Sequence, residues 1–252
     1  MAPQFERVRS GSGHQYRIDG HRVKGVTSIL SDGVAKPALT KWAAETAANC
    51  VIDNWDAIQK MTPSQRHKYI AAAPYRDTDR SKAKGTEIHT HAENLVTGNA
   101  IAVRADIRGY VDACASWLRD FSVKPLMHEI PLCSVMYQYG GTADLIAEID
   151  GETALIDYKS NRSGLFGDMA LQLSGYAYAE WCITSEGIVP MPHIDKCYGV
   201  RLMSDGNYEF CPVEVNGHTF SQFLAAQTMA EFAEESRYYI GAPLSPVTKV
   251  AA

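Results

Sequence analysis

No stretch of this chain approaches the roughly 18 apolar residues that a membrane span requires. Its opening, MAPQFERVRS, carries no apolar segment of the kind that marks a secretory signal. The six cysteines, Cys50, Cys114, Cys133, Cys182, Cys197 and Cys211, include no close pair. Reduced thiols in a cytosol are therefore the expectation, and the cysteines read as small buried hydrophobes. Positive charge is also short, with 24 Lys and Arg against 29 Asp and Glu, a formal net charge of −5. That balance excludes a general polyanion binder, so any nucleic-acid surface must be a local patch on an acidic body. Internal repeats and low-complexity segments are absent too. What remains is 252 residues, 46% hydrophobic and 21% charged, enough to bury a full core as one large domain or a core plus a small lobe.

The most informative stretch is Gly140 to Lys159, GGTADLIAEIDGETALIDYK. Asp150-Gly151 between two apolar runs is a strong hairpin signal, because both residues tolerate the positive φ of a type I′ turn. With those two as the turn, Ile149 faces Glu152, and the same register carried outward sets Asp144 opposite Asp157. Opposed like charges destabilise a strand pair, so two carboxylates there need a shared proton or a cation. Period two puts Lys159 on the face of Asp157 and turns Tyr158 away. Elsewhere both faces are apolar, with Ile146 and Leu155 on one and Leu145 and Ile156 on the other. This predicts a central element covered on two sides, with the outline of a hydrolytic metal site on it.

Around the hairpin, residues 4–25 read as short strands, with a second Asp-Gly turn at Asp19-Gly20. Ala38 to Ile58 has helical spacing. Thr62-Pro63-Ser64-Gln65 is a capping box that starts another helix, ended by Pro74. Further helices are expected over Asp79–Val96 and Ala105–Phe121. After Pro125 the period changes to two, giving a strand over Met127–Met136 ahead of the hairpin. A helix over Asp168–Trp181 follows, then strands near Lys196–Met203 and Tyr208–Val213, and a helix over Thr219–Ser236. The order predicts a mixed α/β core behind an N-terminal helical region. Trp42, Trp55, Trp117 and Trp181 fall in predicted helices and read as packing residues.

Four separated pieces resemble the RecB-like branch of the PD-(D/E)XK nucleases, most closely its CRISPR-associated and phage-encoded exonucleases. Gly85-Thr-Glu-Ile-His89-Thr-His-Ala-Glu93 is similar to that branch's first-helix motif, and Gly141-Thr-Ala-Asp144 to the motif of the first acid. Asp157-Tyr-Lys159 is similar to the (D/E)XK tripeptide, and Gln172-Leu-Ser-Gly-Tyr176 to the QxxxY motif. Together they span residues 85–176, about a third of the chain, with Ala143 where the family's name has proline. The resemblance implies a restriction-endonuclease-like α/β fold, a mixed central sheet flanked by helices. It implies catalytic roles for Asp144, Asp157, Lys159, Gln172 and Tyr176. The implied metal ligands are His89, Asp144, Asp157 and the backbone carbonyl of Tyr158. Iron–sulfur members need four cysteines, three of them closely spaced, whereas Cys182, Cys197 and Cys211 stand 15 and 14 residues apart. No such cluster is expected.

Read singly, these residues are ordinary. Acid-x-lysine at a strand end is usually a solvated edge, and Asp157 with Lys159 gains meaning from facing Asp144 in an otherwise apolar strand. His89 and Glu93 are i,i+4 on one helical face, whereas His91 lies roughly 200° round the helix, so both histidines cannot hold one ion. His89 is favoured as the ligand, with Glu93 supporting it or pairing with a cation. Gln172 and Tyr176 share a helical face; the resemblance implies that they orient the lysine or water and touch DNA phosphate. Arg76, Arg80, Lys82 and Lys84 form the densest basic run, either a solvated face or a phosphate contact, and Arg162 is a weaker candidate of that kind.

Carboxylate ligands suit Mg²⁺ or Mn²⁺, and an imidazole moves the preference towards Mn²⁺. The function implied is a metal-dependent DNA exonuclease, cytoplasmic in a bacterial or phage-infected cell and engaged in DNA recombination, repair or processing. In that reading residues 1–78 form a hairpin and helical region covering the active site. Residues 79–240 are the nuclease core and 241–252 a tail. An endonuclease of the same fold and a non-catalytic DNA-binding relative are the alternatives. A different metallohydrolase would need His89 and His91 on a strand, where the pattern says helix.

Overall fold

A computed structural model describes residues 2–10, 13–99, 101–161 and 163–244. The N-terminal strands β1 (Phe5–Ser10), β2 (Gly13–Ile18) and β3 (His21–Gly25) form an antiparallel meander. Asp19 and Gly20 turn the second corner with φ of 49° and 81°, as their residue types predict. Five helices follow: α1 (Val26–Gly33), α2 (Pro37–Asp53), α3 (Trp55–Gln59), α4 (Pro63–Ala71) and α5 (Ala73–Val96). The Thr62–Gln65 capping box is present at α4, with both reciprocal bonds made. Pro74 does more than stop α4: it sits in the first turn of α5, where its missing N–H costs nothing, and α5 therefore starts before Asp79 and runs across residue 78.

After α6 (Arg108–Asp120) come the three strands that carry the fold, β4 (Lys124–Ser134), β5 (Tyr139–Ile149) and β6 (Glu152–Lys159). They lead to α7 (Asp168–Ala177), β7 (Trp181–Thr184), β8 (Gly187–Pro190), β9 (Lys196–Leu202), β10 (Tyr208–Pro212) and α8 (Gly217–Glu235). In the sheet β5 lies between β4 and β6, both antiparallel to it, and β6 continues to a parallel β9 and thence to β10. On the other side β4 pairs with β7, which pairs with β8. The result is one curled mixed sheet with helices on both faces.

The central hairpin is covered on both sides, as its composition predicts. Ile146 and Leu155 face α1, α7 and α8, packing with Ile29, Leu173 and Phe223. Leu145 and Ile156 face α5 and α6, packing with Ile88, Ile107 and Trp117. All four hairpin residues are fully buried, each worth about 1.5–3 kcal/mol of transfer free energy.

The helix expected over Asp168–Trp181 is shorter, because residues beyond Ala177 are claimed by the sheet. Trp181 and Cys182 pair with Cys133 and Leu132 of β4, and the Glu180 carboxylate accepts from Ser134 Oγ and the Val135 amide at 3.0 and 2.7 Å. Of the tryptophans, Trp117 is wholly buried, Trp181 opens β7 rather than closing a helix, and Trp55 is 55% exposed. The packing role expected for all four holds fully for Trp117.

Candidate metal and catalytic site

The site forms where the central sheet splits. β5 and β6 keep the predicted register from Ile149↔Glu152 to Leu145↔Ile156. The ladder stops there, one step before the two acids. β6 stays with β9 as far as Lys159↔Arg201, while β5 stays with β4 and takes up β3 through Lys24↔Tyr139 and Gly25↔Gly140. Asp144 and Asp157 therefore flank a notch. Across it the Tyr158 amide donates to Asp144 Oδ2 at 2.8 Å.

Gly140 and Gly141 lead into the notch, and each lets a tyrosine close in. A methyl added at Gly140 would stand 2.6 Å from Tyr16 Cβ, and one at Gly141 would stand 2.7 Å from Tyr176 Cε1. On one side of the notch, Asp157 is held by a short polar chain. Lys159 Nζ lies 2.5 Å from its Oδ2 and Gln172 Nε2 donates to its Oδ1 at 2.6 Å. Gln172 also donates to Tyr176 Oη at 3.1 Å and accepts from Lys159 at 3.3 Å. The i,i+4 spacing on α7 thus presents both residues of the QxxxY pattern to the acid and lysine.

On the other side α5 brings His89 Nδ1 to 3.5 Å from Asp144 Oδ1. The helix is fixed by Ile88 and Ala92, both buried against α6, and His91, i+3 from Ile88 on the same side, is buried as well. One α5 residue does not reach the acids: Glu93 pairs with His128 at 3.1 Å, at the rim of the cleft beside His89. The Tyr158 ring turns away from the acids, edge-on to His89 and Trp117 at 5.9 and 5.8 Å.

Glu129 of β4 joins this side, a residue the sequence reading passed over. Donor atoms of His89, Glu129 and Asp144 all lie within 4.8 Å of one another. Glu129 has φ of 47°, a conformation rarely adopted by a residue with a side chain, and it interrupts the β4–β5 ladder between His128↔Leu145 and Ile130↔Ala143. The signal was available: carrying the β4–β5 pairing across the hairpin places Glu129 beside Asp144. It was hidden because His128-Glu129-Ile130 reads as plain strand alternation.

The electrostatics follow from burial. Burial opposes a charged imidazole at His89, yet Asp144 and Asp157 outweigh it and lift the group to about 9. Burial also opposes a charged Asp144, but His89, Lys159 and the Tyr158 amide hold its carboxyl below the usual range. Asp157 goes the other way: burial and the charge of Asp144 raise it in spite of Lys159. Burial and Asp144 likewise raise Glu129. Without a metal the notch thus holds two ion pairs, His89 with Asp144 and Lys159 with Asp157. The donor chemistry of one imidazole and two carboxylates fits Mg²⁺ or Mn²⁺ at His89, Glu129 and Asp144. Asp157 stands outside that group: Gln172 donates to its Oδ1 and Lys159 stands against its Oδ2, which is buried and makes no hydrogen bond among the described residues.

The basic run on α5 divides. Arg76 donates to the Tyr69 carbonyl at 3.0 Å and lies over the Tyr69 ring, and Lys84 lies over the Tyr110 ring; these two tie helices together. Arg80 and Lys82 are exposed. Arg162 lies outside the described residues.

No family model and no curated protein matches the sequence. Among solved structures, one named SSO0001 overlaps 86% of this chain and 76% of its own, at 16% identity and a TM-score of 0.33. LHK-Exo in complex with dAMP overlaps 78% of this chain and 93% of its own, at 15% identity and a TM-score of 0.35. Likeness at that level carries no argument, and the notch between β5 and β6 has to speak for itself.

Proposed function

We propose that this protein is a metal-dependent DNA exonuclease with the PD-(D/E)XK fold of the RecB-like branch, hydrolysing phosphodiester bonds from DNA ends. The observation that carries the reading is the convergence of Asp144, Asp157, Lys159 and Gln172 on one notch in the sheet, with His89 and Glu129 closing its other side. A lysine and a glutamine on one buried acid, facing a second acid that holds an imidazole, form a costly arrangement for a purely structural purpose.

His89, Glu129 and Asp144 would hold the ion, with Asp157 and the Tyr158 carbonyl as further ligands. Bound there, Mg²⁺ or Mn²⁺ supplies an activated water and neutralises charge developing on the scissile phosphate. Lys159, fixed by Asp157 and Gln172, orients the attacking water and offsets negative charge as the phosphate is attacked. Gln172 and Tyr176 keep that lysine in place. Beside Lys159 and Gln172 opens a cavity of about 510 Å³ walled by Leu39, Phe166, Met169 and Lys36, within the size range of nucleotide-scale sites. It supports the idea that the α1–α2 connection guides a strand end to the notch. Arg80, Lys82 and Arg162 are candidates for contact with phosphates further along.

Incubating linear duplex and single-stranded DNA with Mg²⁺ or Mn²⁺ tests the proposal. Mononucleotide release that stops in EDTA is expected. Lys159→Ala is expected to lower the rate by about 10²–10⁴-fold, the range for losing an acid–base group, with the circular dichroism spectrum retained. Full activity in that variant would remove Lys159 from the mechanism. DNA left intact under every cation would remove the enzyme reading.

A further inference from the structure

The β1–β2 hairpin carries a charge pattern that the notch does not use. Phe5, Arg7 and Arg9 alternate onto one face of β1, and their cross-strand partners Ile18, Tyr16 and His14 share it. At its base this face is apolar and buried, with Phe5 at 4% and Ile18 at 1% exposure. Two residues further out it becomes cationic. Arg7 donates to Thr142 Oγ1 at 3.2 Å and stands 3.7 Å from the Glu129 carboxylate, so it reaches the rim of the metal group. The next pair outward, Arg9 opposite His14, is exposed. Among the described residues Arg9 makes no hydrogen bond or ion pair.

A face that is core at one end and carries two successive arginines at the other stands out in an acidic protein; across the strand pair these arginines meet Tyr16 and His14, and burial together with the two arginines disfavours the charged form of that imidazole. Such a face is what an anionic strand would require. Arg7 and Arg9 are separated by two pleat steps, about 6.6–6.8 Å, close to the spacing of successive phosphates along a nucleic-acid backbone. Glu129 with Asp144, then Arg7 with Thr142, then Arg9 with His14 form one path leading away from the notch. Arg17, paired with Glu6, sits on the opposite face of the same hairpin.

We propose that the Arg7–Arg9 face of this hairpin binds the phosphodiester backbone of a single DNA strand and holds it in line with the His89–Glu129–Asp144 group. The proposal rests on the nuclease reading and deepens it. It is tested by the fluorescence anisotropy of a labelled single-stranded 20-mer, with Ca²⁺ replacing the hydrolytic cation, over a range of salt. Losing one phosphate contact lowers the slope of log K against log salt by about 0.7 for a single strand. Arg9→Ala should show a slope shallower by that amount and weaker binding at low salt. Arg9→Lys should restore most of both, and Arg17→Ala should match wild type. An unchanged slope in Arg9→Ala, or an equal fall in Arg17→Ala, overturns the proposal. Wild-type protein that fails to bind the oligonucleotide at low salt overturns it too. Cleavage of linear DNA by wild type, measured separately, shows whether the nuclease reading falls with it.

Discussion

At the scale of single residues, the site is two ion pairs waiting to be rearranged. His89 is charged by its neighbours, so a cation entering the group must displace a proton. Apparent Mn²⁺ affinity should therefore rise with pH up to about 9 and level off beyond it, as isothermal titration at several pH values would show. The sign for stability is the opposite. A group raised from 6.5 to about 9 contributes stability that is complete below 6.5 and disappears as pH climbs through 9. In EDTA the melting temperature of wild type should exceed that of His89→Ala at pH 6, and the gap should narrow by pH 10. Glu129 offers a separate check. If it is a ligand, Glu129→Gln should raise the metal concentration for half-maximal activity by about 10–100-fold, the range seen when a metal's supporting groups are removed. An unchanged metal requirement would return the site to His89 and the two aspartates.

The same residues show what a sequence discloses at this scale. His89, Asp144, Asp157, Lys159, Gln172 and Tyr176 converge: strand periodicity from the Asp150-Gly151 turn placed the two acids and the lysine, whereas His89, Gln172 and Tyr176 were singled out by the resemblance of their helical motifs. Glu129 was harder to find: the β4–β5 pairing sets it beside Asp144, but plain alternation in β4 gives it no mark, and the left-handed backbone it adopts is announced by no pattern of side chains. The end of the ladder was beyond reach: spacing put Asp157 opposite Asp144 but could not say that the pairing would stop one step early.

Among the elements, the hairpin and the helices packed on it were legible from period and turn chemistry, whereas β7 and β8 were not. Trp181 closes a helical pattern on paper, and only its pairing with β4 overrides it. Two glycines test how the elements hold the site. A methyl at Gly33 of α1 would meet the Ala226 carbonyl oxygen of α8 at 1.9 Å. Gly33→Ala should therefore cost about 1–3 kcal/mol, as overpacking does, in chemical denaturation. Gly141→Ala would push on Tyr176, whose hydroxyl accepts from Gln172. Its loss of activity should exceed its loss of stability, with roughly 10²-fold lower turnover for a displacement near 1 Å. Equal, small effects on both would mean that α7 yields without disturbing the lysine.

For the molecule as a whole, the acidic balance bears on the proposed function, favouring the end-directed reading over an enzyme that wraps duplex. A chain at −5 lacks the broad positive surface that duplex wrapping needs. Linear DNA should be consumed while a covalently closed circle in the same tube persists. Equal loss of the circle on a gel would favour the endonuclease alternative. The proposed hairpin rail and the exposed Arg80 and Lys82 are the local exceptions that such an enzyme requires. No helix among the described residues is long and apolar enough to cross a membrane.

The parallel junction of β3 with β5 spans only two residue pairs, yet it occupies the stretch of β5 that β6 has vacated. Trimming the first 25 residues would therefore do more than remove an outlying ribbon. It would bare the amide edge beside Tyr139 and Gly140, in the middle of the sheet, to any other extended chain. Such a truncated protein should self-associate, and light scattering would register larger particles well before thermal melting begins.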